Sequence, residues 1–459
     1  MSKRTPKKIR ITNSLPTIHL NAAAVDIGSN EHWVAVPADR DAQPVRRFTA
    51  FTDDLHAVAD WLSACGIDTV AMEATGVYWI PLYDILETRG FDVHLVNSKH
   101  VQNVTGRKTD ILDCQWLQQL HTFGLLSGAF RPDQDFLVLR SYVRHRKMLI
   151  EYASAHVQHI QKALTQMNLV LHNVVSDIVG ATGMAILRDI VRGVRDPEAL
   201  AAHRDYRCKA SAETIARSLR GSWRDEHLFA LRQALELYDT YQRKIDECDV
   251  AIAQQLDRIR KKVDRGDIPP ERTRYKPSSN APRTNFREVL FEIAGVDLSQ
   301  IAGIQPYTIL MFLAETGTDM SRWGSGKRFA SWLGLCPGTK ISGGKRLDGR
   351  TKHRKGRAAS ILLIAAATLR NSESALGAFF RRKVAQFGVA KAITATAHKL
   401  ARIIYALLST GKPYSDLGAD AYELQFRHRT IKRLYRKAEM LGYTLVALPE
   451  AAPLEGAVS

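Results

Sequence analysis

A mixed α/β domain, followed by long helices and a last helical domain, is the fold class this sequence predicts. Three observations carry it. Short apolar runs alternate with amphipathic stretches from residue 20 to about 130. From 137 to 262 apolar residues recur at threes and fours over long unbroken stretches. After residue 288 the helical spacing returns in shorter pieces. Alternation of the first kind builds a sheet covered by helices, and the second kind builds helix pairs.

The first domain opens with "NAAAVDIGSNEHWVAVP" at 21–37. An apolar run reaches Asp26, a turn of small residues follows, and an alternating run returns, which predicts a hairpin with a carboxylate near the end of its first strand. Strands are predicted at 22–27, 32–36, 45–50, 68–73 and 91–96. Helices are predicted at 53–64, 79–89 and from 110 onward. Three strands, a helix, then strand–helix–strand–helix is the order of a ribonuclease H-like domain. Actin-like phosphotransferases open on a similar hairpin, but they also need a glycine-rich phosphate loop. The nearest stretch, "GTKISGGKR", lacks the glycine–lysine step of such a loop.

Two long helical stripes come next. One runs through Leu139, Val143, Leu149, Val157, Ile160, Leu164 and Leu171, the other through Leu228, Leu231, Leu235, Tyr238, Tyr241, Ile245, Cys248 and Ile252. Each needs another helix, supplied as a hairpin, between chains as a coiled coil, or inside a bundle. The stretch 260–287 holds nine basic residues, three acidic ones and four prolines, the composition of a linker. Past it, "LSQIAGIQPYTILMFLAETG" reads as helix, Gly303 turn and a second helix opened by Pro306, a helix-hairpin-helix-like segment whose turn amides could contact phosphate. The chain therefore divides into a basic arm (1–19), the α/β domain (20–136), a helical or coiled-coil region (137–262), a basic linker (263–287), an α-helical C-terminal domain (288–415), and a basic helix with a tail (416–459).

Charge narrows the partners. The chain has 65 Lys plus Arg against 47 Asp plus Glu, a formal net charge of +18 and a pI near 9.7, which makes a polyanion the expected partner. The strongest apolar stretch, "ILLIAAATL", is far too short to span a bilayer, so no membrane partner is expected. "MSKRTPKKIR" lacks the apolar core of a secretory signal and reads as a phosphate-touching arm. Five scattered cysteines without a CxxC support neither a disulfide framework nor a zinc site, and fit a reducing cytoplasm.

The chemistry starts with carboxylates. "DTVAMEATGVYWIPL" reads as a buried strand ending at Glu73, where an unpaired charge is costly. An ordinary strand-end glutamate facing water is the competing reading. In "GRKTDILDCQWLQQL", Asp110 and Asp113 share a helical face that continues into Leu117 and Leu120. Helix-start chemistry explains them equally well when they are taken alone. Taken together, Asp26, Glu73, Asp110 and Asp113 form a set of oxygen donors suited to Mg²⁺, with Mn²⁺ as a substitute. Two such ions would activate and stabilise the oxygens of a phosphodiester displacement.

A second element lies near residue 340. From Lys340 to Arg357 stand Lys340, Lys345, Arg346, Arg350, Lys352, Arg354, Lys355 and Arg357, with four glycines and a single acid, Asp348. This is a mobile polycation suited to a nucleic-acid backbone. Ser342, followed by two glycines, is an unhindered hydroxyl in a positive field. A serine beside glycines is more often plain loop.

Several stretches resemble the DEDD transposases of insertion sequences, recombinases guided by a bridge RNA. "AVDIGSNEHWVAV", "VAMEATGVYWIPL" and "VNSKHVQNVTGRKTDILDC" resemble the family's RuvC-like N-terminal domain, and "IAGIQPYTILMFLAETG" with "ASWLGLCPGTKISGGKR" resembles its C-terminal transposase domain. The resemblance implies that Asp26, Glu73, Asp110 and Asp113 hold metal and that Ser342 is a nucleophile joining covalently to a DNA strand end. It also implies donor and target DNA as substrates, a structured guide RNA as partner, and a homo-oligomer, dimer or tetramer, in a prokaryotic cytoplasm and at the nucleoid when DNA-bound. The family's Gly-Ile-Gly turn stands here as Gly303-Ile304-Gln305, a departure that weakens phosphate contact at that turn. The alternative is a RuvC-like endonuclease that uses metal-activated water and needs no serine.

Overall fold

The computed structural model describes residues 16–96, 110–126, 128–263, 268–271, 280–338, 340–349, 351 and 356–446. The chain forms two compact units, Met1–Arg131 and Pro132–Ser459. Among the described residues no helix is long and apolar enough to cross a membrane.

The first unit is a five-stranded mixed sheet. Its strands are β1 (Ala22–Ile27), β2 (Glu31–Ala35), β3 (Val45–Thr49), β4 (Thr69–Glu73) and β5 (Asp92–Val96), in the order β3-β2-β1-β4-β5. β1, β2 and β3 pair antiparallel as a meander, while β4 and β5 add in parallel on the other side of β1. The helices are α1 (Thr52–Ala64), α2 (Ile80–Thr88) and α3 (Asp110–Thr122). This is the predicted element order, with ends moved by a residue or so.

Alternation along β1 assigns the two faces. Ala23, Val25 and Ile27 share a core with Leu55, Val58 and Leu62 of α1 and Leu82 and Leu86 of α2. The other face carries Ala24, Ala35, Ala71 and Val96 against Cys114 and Leu117 of α3. Alanine at three of those four positions leaves room for α3 to lie close to the sheet.

Three histidines close the amino end of the second face. The His19 ring stacks on His121 at 4.8 Å, His94 lies 4.9 Å from the same ring, and His121 Nε2 stands 2.9 Å from Thr69 Oγ1. The His94 Nε2 faces Asp92 at 2.9 Å. Burial, reinforced by the two neighbouring imidazoles, pushes His121 down to about 4.

The second unit is helical apart from one small hairpin. α4 (Gln134–Gln166) runs antiparallel to α9 (Asp225–Arg258), with Gln255 bonded to the Asp135 carbonyl at one end and Ile160 and Leu164 beside Leu231 and Leu235 at the other. The two sequence stripes thus pack on each other within one chain. Between them, α5 (Leu171–Val174), α6 (Ala181–Arg192), α7 (Pro197–Ala201) and α8 (Ala212–Ser218) build a capping module on the same core. Midway, the buried Arg146 guanidinium pairs with Asp249 and donates to the Asn280 carbonyl at 2.8 Å and the Tyr307 hydroxyl at 3.1 Å.

The rest comprises α10 (Arg287–Ala294), α11 (Pro306–Thr316), α12 (Gly326–Trp332), a hairpin of β6 (Lys340–Ser342) and β7 (Lys345–Asp348), α13 (Arg357–Ala367), α14 (Ala375–Phe387), α15 (Val389–Thr410) and α16 (Gly418–Met440). The helix expected just before Gly303 is a three-residue 3₁₀ turn, Leu298–Gln300. Asp297 folds the chain there by accepting from the Ser299 amide and hydroxyl and from Arg287. Gly303 has φ +82°, and a Cβ on it would stand 3.0 Å from the Ala365 carbonyl, so this glycine lets the turn close against α13.

Two stability predictions follow from buried groups. The folded state holds His121 neutral below its ordinary titration, so the unfolded chain binds the extra proton as pH falls. Stability from this group is complete above about pH 6.5 and is lost between there and about pH 4. Between pH 7.5 and 5.5 wild type should lose on the order of 1 kcal/mol more than His121→Gln. Equal losses in urea titrations would refute the assignment. Separately, Asp249→Ala should destabilise by about 3–5 kcal/mol, because it strands the Arg146 charge. Arg146→Met with Asp249→Leu should recover most of that; a double variant as unstable as the single one would show that the pair is not the cause.

Candidate active site

Local sequence explains why the acids meet. Asp26 follows Ala22 and Ala24 on the α3 face of β1, and Glu73 follows Thr69 and Ala71 on the same face of β4. Val25 and Met72 are partners in the parallel ladder, so Asp26 and Glu73 are the next residues along two adjacent strands. Both carboxylates leave the same face at the same end of the sheet.

α3 brings the other pair. The Cys114 thiol donates to the carbonyls of Ala24 (3.4 Å) and Trp33 (3.0 Å), and Gln118 Nε2 donates to the Ala22 carbonyl at 3.0 Å. His121 reaches Thr69 at the start of β4. The helix therefore runs from the carboxyl end of β1 towards its amino end. Four helical residues back from Cys114 span ~6 Å, close to the ~6.6 Å of two strand residues beyond Ala24. That places the first turn of α3, with Asp110 and Asp113, at the level of Asp26 and Glu73. Asp110 lies on the sheet-facing line with Cys114 and Gln118, and Asp113 lies a quarter-turn to the side.

Electrostatics report the same neighbourhood. Burial pushes the Cys114 thiol up to about 12, and the charges of Asp26 and Asp113 act in the same direction. Asp110 is exposed, whereas Asp26, Glu73 and Asp113 are half-buried. Asp26 and Glu73 thus share one end of one sheet face, and Asp26 and Asp113 both act on the Cys114 thiol. Among the described residues no three His, Cys, Asp or Glu side chains are grouped to hold a metal ion.

Ser342 belongs to the second unit. The segment expected as a mobile loop contains an ordered hairpin. Ser342 pairs with Lys345 across Gly343 and Gly344, whose φ values of +55° and +74° are those of a two-residue type I′ turn. Only glycine adopts that pair of angles freely, which is the physical reason for the "GG". The side chains of Ser342 and Lys345 are exposed. Lys340 and Arg346 lie in β6 and β7, and Arg357 opens α13 and is exposed. Arg350, Lys352, Arg354 and Lys355 lie outside the described residues.

Cys114, Gln118 and His121, which fasten α3 to the sheet, did not stand out in the sequence. Their signal was present nonetheless, since they follow Asp110 at intervals of four, four and three.

A sheet-borne pair of acids with a helix-borne pair, in a chain with a separate basic hairpin, defines a DNA-cleaving and strand-transferring enzyme once two sequence matches are added. Residues 23–169 match the sequence model of the DEDD transposases of the IS110 group, described as a transposase, and residues 297–380 match that of the transposase IS116/IS110/IS902 family. The chain belongs to the DEDD-type insertion-sequence transposases. No curated protein matches it.

If α3 is docked as described, Cys114 should resist alkylation at pH 8 in the native protein and react only in denaturant, as read by peptide mass spectrometry. Native labelling of Cys114 at the unfolded rate would mean that the helix leaves the sheet.

Proposed function

We propose that this transposase cuts and exchanges DNA strands in a Mg²⁺-dependent reaction in which Ser342 is the nucleophile and a structured bridge RNA guides the choice of sites. The observation that carries the reading is the shared position of Asp26 and Glu73 on adjacent strands, with the first turn of α3 above them. The sheet order β3-β2-β1-β4-β5, antiparallel at β2 and parallel at β4, supports a ribonuclease H-like, RuvC-like domain.

The donor set fits a hard dication, since all four groups are carboxylates and none is a thiolate or imidazole. Asp26, Glu73, Asp110 and Asp113 would hold Mg²⁺ or Mn²⁺, which supplies charge to the oxygens of the reacting phosphodiester. Like-charged carboxylates repel, so their closure to ligand spacing needs such a cation.

The chain's own part is nucleophilic. The Ser342 oxygen loses its proton and bonds to phosphorus, the bond from phosphorus to one strand oxygen breaks, and that strand leaves as a hydroxyl. Attack by the hydroxyl of another strand reverses the step and releases Ser342, so the phosphodiester is conserved. Lys345, opposite Ser342 in the hairpin, places a cation beside the transferring phosphate, and the basic stretch through Arg357 tracks the backbone. Base pairing with RNA then supplies sequence choice, while protein cations hold backbones. Assembly as a homo-oligomer fits an enzyme that must hold donor and target together.

The test uses a labelled junction DNA, Mg²⁺, the element's flanking RNA, and purified wild type, Ser342→Ala and Asp26→Ala. Wild type should carry DNA label after denaturation, and Ser342→Ala should carry none. Asp26→Ala should lose cleavage by a factor on the order of 10² or more while still retaining RNA on filters. Unimpaired cleavage by Ser342→Ala without an adduct would replace this reading with a metal-dependent hydrolase.

A further inference from the structure

α16 is a helix of 23 residues with no buried side chain. Its first half is held by α14 and α15. Tyr422 packs edge-on to Phe379, Lys399 lies over the Tyr422 ring at 5.0 Å, Glu423 pairs with Arg382, and that guanidinium lies over Phe426. The same side of the helix continues as Arg429, Arg433 and Arg436.

The flank that continues from Glu423 is apolar. Ile431, Leu434, Ala438 and Leu441 follow one another at three, four and three residues, the spacing of a seam between two helices. Ile431, Leu434 and Leu441 are 37%, 44% and 64% exposed, and Tyr435 flanks them. Arg429, Lys432, Arg433 and Arg436 all fall outside this seam, on the outer positions of the repeat. The stripe is two residues wide per repeat, which suits a helix better than the broad apolar face that a lipid surface selects.

We infer that α16 pairs antiparallel with α16 of a second copy of this chain through Ile431, Leu434, Ala438 and Leu441. The antiparallel register matches sizes. Leu434 of each copy meets the small Ala438 of the other, and Ile431 meets Leu441. It centres the contact beyond the part anchored to α14, so both anchors stay in place. Arg427, which would interrupt the seam, moves to its outer end, on a wall shared with Asp420 and Glu423. The contact is isologous and short, so it is a weak pairing rather than an obligate one. Lys437 flanks the centre in both copies, so the pairing strengthens as salt screens that repulsion. Both outer faces remain basic and open to nucleic acid.

Full-length Leu434→Cys and Ala438→Cys variants, each with wild-type circular dichroism, would be purified, mixed and oxidised at low salt and at about 0.5 M salt. Disulfide-linked dimers should form several-fold faster in the mixture than in either variant alone or in wild type. Peptide mapping should show the 434–438 bond, and the rate should rise with salt. Adding Ile431→Asp to both variants should abolish the linkage. Wild-type levels of linkage at both salts would overturn the inference, and so would predominance of 434–434 bonds. Binding of wild type to phosphatidylserine vesicles that Ile431→Asp abolishes, without linkage in solution, would assign the stripe to a membrane surface instead.

Discussion

The docking of α3 on the sheet is the contact on which the proposed catalytic corner depends. Two of its acids come from strands and two from a helix some forty residues further along the chain, so nothing local keeps them together. The fastening is made of small parts. Alanines at 22, 24 and 71 lower the sheet surface, and the Cys114 and Gln118 side chains bond to backbone carbonyls of β1 and β2. A larger residue at Ala24 or Ala71 would lift the helix and separate the two pairs of acids, although every acid would still be present. Side chains that bond to backbone also fix the helix along its length, so the first turn of α3 cannot slide past Asp26 without breaking several bonds at once.

The second unit carries the exposed hydroxyl of Ser342, the proposed nucleophile. A two-stranded hairpin is marginal by itself. Here the chain on each side of it is tied to helices, with Leu335 buried behind β6 and Ala358 and Ala359 buried in α13 after β7. The type I′ turn then leaves Ser342 at a strand end with no bulky neighbour next in sequence. Gly303 serves the same scaffold, closing the turn before α11 against α13. The unit's interior polar groups are similarly committed. Arg146 joins α4, α9, the chain at Asn280 and α11 through one guanidinium, which makes the antiparallel helix pair part of the C-terminal body rather than an independent arm.

Much of this was legible in the sequence, for identifiable reasons. Strands buried on both faces leave continuous apolar runs, so β1 and β4 could be read to within a residue, and their terminal acids with them. The hairpin at 340–348 was read as mobile chain because its residues are polar and charged, with no apolar alternation to betray strands. Its one signal was the Gly-Gly pair, which also fits a loop. The 3₁₀ turn at Leu298–Gln300 was read as helix because the apolar spacing continues through it, while the Asp297 interactions that bend it depend on Arg287, ten residues earlier. The helical stripes named their own need for a partner but could not name the partner. Within the chain the two stripes are also joined midway by Arg146 and Asp249, whose contact links residues 103 apart in sequence.

Charge is distributed unevenly along the chain, in a way that suits a polyanionic substrate. The stretches 73–88 and 110–122, which carry three of the four acids, contain no lysine or arginine, whereas 340–357 holds eight. A DNA backbone would be attracted to the hairpin at any metal concentration and repelled from the acid corner until that corner is neutralised. Binding and chemistry are thereby separable. A polycation that also lined the acids would neutralise them permanently and remove their need for a dication, and with it the field that a dication places on the reacting oxygens. Keeping lysine and arginine out of the two stretches that carry Glu73, Asp110 and Asp113 leaves those carboxylates free to take a divalent charge. Exposure of the hairpin leaves the serine free to meet phosphate wherever the backbone is held. For the proposed reaction this uneven distribution of charge matters as much as the four acids and the hydroxyl.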